Sequence, residues 1–454
     1  MKFKTLFLAV NLVISAFTLH AEDGPRTPVR PNIVFVLIDD LGWTDLACYG
    51  SRFYETPNID RLAAQGMRFT DAYSACTVCS PTRAAVLTGQ YPARLHITDW
   101  IPGHVRKDAP LTVPDWTMQL SPGIPNIAQA LHSAGYATAS IGKWHLGPEA
   151  CWPDKQGFDL SLGGYDRGQP PTYFSPYQIP TLPEGPKGEF LTDRLTTEAV
   201  KFIEQNKDKP FFLYLPHYAV HTPIMGKPDV VAKYQAKVDP SASQKNAAYA
   251  ALIESVDDGV GRLMAKLDEL KLSERTLFVF TSDNGALKNI SSSEPLRAGK
   301  GSAYEGGVRV PLIIKWPGVT QAGSVCHEPV ISTDHLPTFL AAAGAGKPAA
   351  PVIDGVNLEP LLSGRGSLGR DAIYWHYPHY HPGGATPYGA IRAGDFRLVE
   401  FYEDNRVELY NLKDDIGESK DLAAIMPEKT AALRGQLHEW RKRVGAQMPE
   451  PGKR

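Results

Sequence analysis

The chain has 454 residues, 43% apolar and 21% charged, which suits one large globular domain plus a smaller one. A formal net charge of −2 gives no bulk attraction for nucleic acid. A polyanionic ligand would need a local basic pocket instead.

The N-terminus opens on Met1-Lys2-Phe3-Lys4, continues almost wholly apolar over residues 5–19, and closes on His20-Ala21. Charged start, apolar middle and small residue at the end predict a signal peptide over residues 1–21, cut after Ala21. The apolar stretch is short for a bilayer and no second one follows, so no stable membrane span is expected. The mature chain would be exported, to a periplasm or outside the cell. Residues 32–38 form a continuous β-rich apolar run of the kind buried in parallel sheets. Similar runs recur at 137–141, 211–215, 276–281 and 310–315. Helical patterns lie between them at 58–65, 124–134, 192–206, 246–270 and 334–343. Strands alternating with helices predict an α/β fold, a mainly parallel sheet sandwiched by helices. Residues 165–188, rich in Pro, Gly and Tyr, read as a long loop of the kind that usually carries function. Beyond Arg365 the pattern changes. Short strands at 389–393, 396–401 and 407–410 and an amphipathic helix at 428–444 predict a small antiparallel sheet with one helix. The expected division is a catalytic domain over 22–365 and a C-terminal subdomain over 366–454.

Several polar groups fall just past the predicted strands. Asp39-Asp40 follows the first, and Asp283-Asn284-Gly285 follows a later one. Ligands of open parallel sheets bind beyond these carboxyl ends. Three carboxylates and an amide oxygen are hard donors that suit Ca²⁺ or Mg²⁺ rather than Zn²⁺. Gly142-Lys143-Trp144-His145 follows a third strand, and His217 and His221 follow a fourth. Arg297 and Lys300 lie downstream of Asp283. Lys143, Lys300 and Arg83 would supply the local positive site that bulk charge does not.

Residues 79–89 read Cys-Ser-Pro-Thr-Arg-Ala-Ala-Val-Leu-Thr-Gly. This resembles the signature of the type I sulfatases, Cys-x-Pro-x-Arg followed by Thr-Gly; Thr82 stands where Ser or Ala is more usual. Gly142 to Gly147 and residues 304–311 also match that family, and the resemblance covers nearly the whole mature chain. It implies an alkaline-phosphatase-like fold and hydrolysis of sulfuric esters. It implies that a maturation enzyme oxidises Cys79 to formylglycine, whose hydrated aldehyde attacks sulfur and later collapses to release sulfate. By the same resemblance Asp39, Asp40, Asp283, Asn284 and the modified Cys79 hold one Ca²⁺. Arg83 orients the formylglycine, and Lys143 and Lys300 bind sulfate. His145 is the base for collapse, and His221 protonates the leaving alcohol. The expected substrate is a sulfated glycan, such as a galactose or N-acetylgalactosamine sulfate.

Sugar contacts are sought in Trp100 and His104, in His217 and Arg297, and in the dense run 374–381, with Trp375, His376 and His379 as candidates. That run equally suits an aromatic plug between the subdomains. Two other functions stay open. One is a phosphomonoester or phosphonate hydrolase of the same fold, for which Asp334-His335 would mimic zinc ligands, although the pair more simply opens a helix. The other is a non-catalytic sulfoglycan-binding protein, if Cys79 is never oxidised. Five cysteines leave four besides Cys79, namely Cys48, Cys76, Cys151 and Cys326, with three possible pairings.

Overall fold

The computed structural model describes Met1, residues 30–346 and residues 352–452. The expected signal peptide, Met1 aside, lies outside the described residues. Eight strands form the main sheet, in the order Ser324–Cys326, Met67–Phe69, Leu312–Lys315, Thr276–Ser282, Asn32–Ile38, Phe211–Pro216, Ala137–Ile141 and Leu160–Leu162. The central strand is buried along its whole length. Its side chains alternate between two cores, as the pleat requires. Val34, Val36 and Ile38 pack under the helices Leu191–Gln205 and Ala247–Glu269. Ile33, Phe35 and Leu37 pack under the helices Ile127–Ser133 and His335–Ala343. Asn126 caps the first of these through a capping box with Gln129.

One strand departs from expectation. Leu312–Lys315 runs antiparallel to Thr276–Ser282. A parallel return needs a crossover to the far end of the sheet, usually through a helix. The chain from Asp283 to Pro311 contains only the short helix Glu305–Val308. It stays at the carboxyl end of the sheet, and so the next strand runs back. That same segment carries Asp283, Asn284 and Lys300.

The C-terminal sheet has four antiparallel strands: Ile373–Tyr377, Tyr388–Ala393, Phe396–Phe401 and Val407–Asn411. Helix Pro427–Val444 lays Leu433, Leu437, Trp440 and Val444 into the same core, a stripe at helical spacing. This core also holds Tyr73, Ala75, Cys76 and Val78, the residues leading into the Cys79 motif. The small sheet therefore backs the motif.

The aromatic run begins as a strand, and three of the residues proposed as sugar contacts pack within the fold. Trp375 is buried against Tyr73 and donates its indole N–H to the Ser74 carbonyl at 2.8 Å. His376 is held between the Tyr402 hydroxyl and the Gln447 carbonyl, each at 2.8 Å. His379 meets the Thr98 hydroxyl at 2.8 Å and the edge of Trp116. Trp375 and His379 tie the two subdomains together, and His376 is held within the C-terminal one. Asp334-His335 is likewise structural. The carboxylate pairs with Arg370 and accepts from the Ile331 and Val356 N–H groups, while the His335 ring packs on Phe35.

Burial pushes His335 and His376 down to about 4, and His379, also beside His376, to about 3. Their folded values lie below the ordinary 6.5, so from that pH downward the unfolded chain binds more protons. The stability they contribute is complete above about pH 6.5 and is lost as pH falls toward 4. Charging one such histidine is worth about 3 kcal/mol. The denaturant midpoint should fall markedly between pH 7 and pH 4.5; an unchanged midpoint would contradict this packing.

Candidate active site

Strand register assembles the site. Ile38 pairs with Ser282 and Leu37 with Pro216, so Asp39-Asp40, Asp283-Asn284 and His217 leave the sheet at one level. The strand Ala137–Ile141 lies beyond Phe211–Pro216 and delivers Lys143 to the same edge. Gly142 makes that exit possible: it has φ +125°, and a Cβ there would sit 2.0 Å from the Pro216 carbonyl oxygen. Cys79 is the first residue of the helix Cys79–Thr88, every residue of which is buried. Arg83 follows one turn later.

Three carboxylates and three cations interlock here. Lys143 Nζ donates to Asp39 Oδ2 at 2.6 Å. Arg83 Nε donates to Asp283 Oδ2 at 2.9 Å and Nη1 to the Lys143 carbonyl at 3.1 Å. Lys300 Nζ lies 2.6 Å from Asp40 Oδ1, which also accepts from Asn284 Nδ2 at 2.7 Å. Burial raises Asp39 to about 8 even though Lys143 opposes it. Burial would raise Asp40 as well, but Lys300, His221 and Lys143 outweigh it and hold that carboxyl below its usual range. The Cys79 thiol is pushed up by burial, against Lys143 and Lys300. Lys300 Nζ stands 3.9 Å from Cys79 Sγ.

Asp39 Oδ1, Asp40 Oδ2 and Asn284 Oδ1 are buried with no hydrogen-bond partner among the described residues. Buried acceptors left unpaired are costly and call for an explanation. Ligand atoms of Asp39, Cys79 and Asp283 lie within 4.8 Å of one another, as do those of Asp39, Asp40 and His221. An oxygen-rich set with unpaired acceptors fits a hard divalent cation.

A cavity of about 690 Å³ opens over this cluster. Cys79, His145, His221 and Lys300 reach it from the cluster, and Trp100, Met118 and Leu287 give it apolar walls. Two histidines are fixed in orientation. His145 Nε2 hydrogen-bonds the Ile101 carbonyl at 2.5 Å, so it carries the proton, and Nδ1 is buried without a partner. His221 Nδ1 faces the Thr222 carbonyl at 2.9 Å, and Nε2 faces Asp40 Oδ2 at 3.6 Å. Burial, with Lys300 and Lys143 against Asp40, lowers His221 to about 3.

The expected sugar contacts divide. Trp100 lines the cavity. His104 is exposed and outside its lining. His217 is buried beneath it and lowered to about 4 by burial. Arg297 lies 3.7 Å over the Tyr304 ring and donates to the Tyr410 hydroxyl and the Glu418 carbonyl. It braces the C-terminal subdomain and is not among the cavity's lining residues. His381 lines the cavity, and so do Asp166, Arg167 and Gln169 from the long loop. The loop's length was the only sequence signal for those three. All five cysteines are free thiols.

The family profile described as Sulfatase matches residues 31–345, and that of the N-sulphoglucosamine sulphohydrolase C-terminal region matches residues 299–445. The chain belongs to the sulfatase family. This sulfatase is 33% identical to "Sulfatase" from Formosa agariphila, over 94% of this chain and 90% of that protein. It is 36% identical to the N-acetylgalactosamine-6-sulfatase of Canis lupus familiaris, over 80% of this chain and 71% of that protein. Among solved structures, Ps i-CgsB in complex with k-i-k-neocarrahexaose superposes with a TM-score of 0.78 at 31% identity, covering 91% of this chain and 93% of that one. The fold is alkaline-phosphatase-like and the enzyme is a sulfuric ester hydrolase.

Proposed function

We propose that this sulfatase removes sulfate from a saccharide of the galactose or N-acetylgalactosamine type, using formylglycine at position 79 and one Ca²⁺. The observation that carries the reading is where Cys79 stands: at the cavity floor, beside two carboxylates and 3.9 Å from a lysine. Hydrated formylglycine at residue 79 would supply a nucleophilic hydroxyl with a built-in exit for sulfate, and Asp39, Asp40, Asp283 and Asn284 would hold a cation that would supply positive charge to the sulfate oxygens. Lys143 and Lys300 add fixed positive charge where the transition state gathers negative charge. His145 holds its proton at Nε2, so Nδ1 is the basic atom. His221 commits Nδ1–H to Thr222, so the leaving alcohol receives its proton from Nε2. That protonated form needs the ester's negative charge, added to that of Asp40, to offset the two lysines.

The substrate class is supported by the names of the relatives and by the cavity itself, whose apolar walls and polar long-loop groups suit a sugar ring. The N-terminal pattern supports export, and no helix among the described residues is long and apolar enough to cross a membrane. Mass measurement of the peptide containing Cys79 tests the modification, which lowers its mass by about 18 Da. Sulfate release from defined sulfated galactosides tests the substrate. An unmodified cysteine in active enzyme would overturn the mechanism.

Chelation tests the cation. Treatment with EDTA should lower both sulfate release and melting temperature, with Ca²⁺ restoring both. At a hundredfold excess over its dissociation constant a bound ion stabilises the fold by about 2.7 kcal/mol. Asn284→Ala should reduce the calcium-dependent part of the melting temperature, because it removes an oxygen donor without breaking an ion pair. If EDTA moves neither reading, the single-cation site is wrong.

A further inference from the structure

After the strand Ile373–Tyr377 the chain makes a tight turn before Tyr388–Ala393. The His381 N–H donates to the Ala385 carbonyl at 3.0 Å, and the Gly384 N–H returns to the His381 carbonyl at 2.9 Å. The imidazole is fixed too. The Gly383 N–H donates to His381 Nδ1 at 2.9 Å. Nδ1 therefore presents a lone pair, and in the neutral ring the proton sits on Nε2. Burial and Lys300 keep the ring neutral by lowering it to about 4.

The ring is seated on the segment that carries Lys300. Gly301 has φ +72°, and a Cβ there would lie 1.9 Å from His381 Nδ1. Across the turn, a Cβ on Gly383 would lie 3.0 Å from the Lys300 carbonyl oxygen. Two glycines thus let the ring and its turn press against the catalytic lysine's backbone. Nδ1 is on that side. His381 lines the cavity together with Cys79 and Lys300. No group among the described residues accepts a hydrogen bond from Nε2. Trp100, in the wall of the same cavity, carries a buried indole N–H that likewise has no partner.

We infer that His381 is a specificity residue whose Nε2–H donates to an oxygen of the sugar ring that bears the scissile sulfate. The inference rests on the saccharide reading above. A neutral single donor, held by backbone hydrogen bonds, suits a hydroxyl or acetal oxygen. In the proposed function the sulfate is left to Lys143 and Lys300. The small C-terminal sheet would then supply sugar recognition, and the main sheet the chemistry.

The experiment compares His381→Ala and His381→Gln with wild type on a sulfated galactoside and on nitrophenyl sulfate, which has no sugar oxygens. Losing one hydrogen bond should lower kcat/KM on the galactoside about tenfold, chiefly through KM. Activity on the aryl sulfate should stay within about twofold of wild type on the same argument. Glutamine, whose amide N–H reaches the Nε2 position, should recover much of the loss. Inhibition by the desulfated galactoside should weaken in His381→Ala, while inhibition by inorganic sulfate should not. Equal losses on both substrates, or weaker inhibition by sulfate, would assign His381 to the sulfate site and overturn the inference. An unchanged KM on the galactoside would overturn it as well. Failure of wild type itself to act on any sulfated saccharide, while it still hydrolyses the aryl sulfate, would instead reject the saccharide reading.

Discussion

Cys79→Ala should abolish sulfate release and leave the fold intact. The side chain is buried in the lining of the cavity, and its one polar side-chain contact is the distant Lys300 amine. Trimming it to a methyl group removes little packing. Lys300 keeps Asp40, and Arg83 keeps Asp283. A stability change within about 1 kcal/mol is expected for a substitution that breaks no buried pair. The chemical loss is of another order. Removing a covalent nucleophile whose partners act as a unit lowers kcat on the order of 10⁴–10⁶-fold. Cys79→Ser should be nearly as inactive unless the host matures serine. Sulfate release and a melting curve on the same preparation decide the matter. Near-wild-type turnover in Cys79→Ala would remove residue 79 from the reaction.

The sequence made the central strands legible because they are covered on both faces, and their continuous apolar runs say so. Direction was not legible. Residues 312–315 are as apolar as their parallel neighbours, and only the path of the chain from Asp283 to Pro311 makes that strand run backward. The charged cluster was readable because its members sit just past strand ends, where register brings them together. Sugar contacts were hard to read for a physical reason. The strand Ile373–Tyr377 is also covered twice. Trp375 and Tyr377 face the catalytic domain, while Tyr374 stacks on Trp440 of the C-terminal helix. Burial on both sides erases the alternation that marks a half-exposed strand, so the run looks like a surface aromatic cluster. Its one member in the cavity, His381, comes after the strand, where the glycine turn returns the chain to the site.

His221→Ala should affect substrates according to their leaving groups. Nitrophenolate is a stable anion and leaves without a proton. A sugar alkoxide is strongly basic and needs one in the transition state. General acid assistance is worth about 10²–10⁴ in rate. Sulfate release from a sulfated galactoside should fall by that factor, and release from nitrophenyl sulfate far less. The fold should survive, because Asp40 retains both Lys300 and Asn284 after the imidazole is gone. His145→Ala provides the contrast. In the proposed mechanism its basic Nδ1 acts after the alcohol has departed, so both substrates should slow alike. Rates for the two variants on the two substrates separate the roles. A substrate-dependent loss in His145→Ala, with a uniform loss in His221→Ala, would exchange the acid and the base. A uniform loss in both would leave His221 as a sulfate-binding group, and the leaving alcohol would take its proton from elsewhere in the cavity.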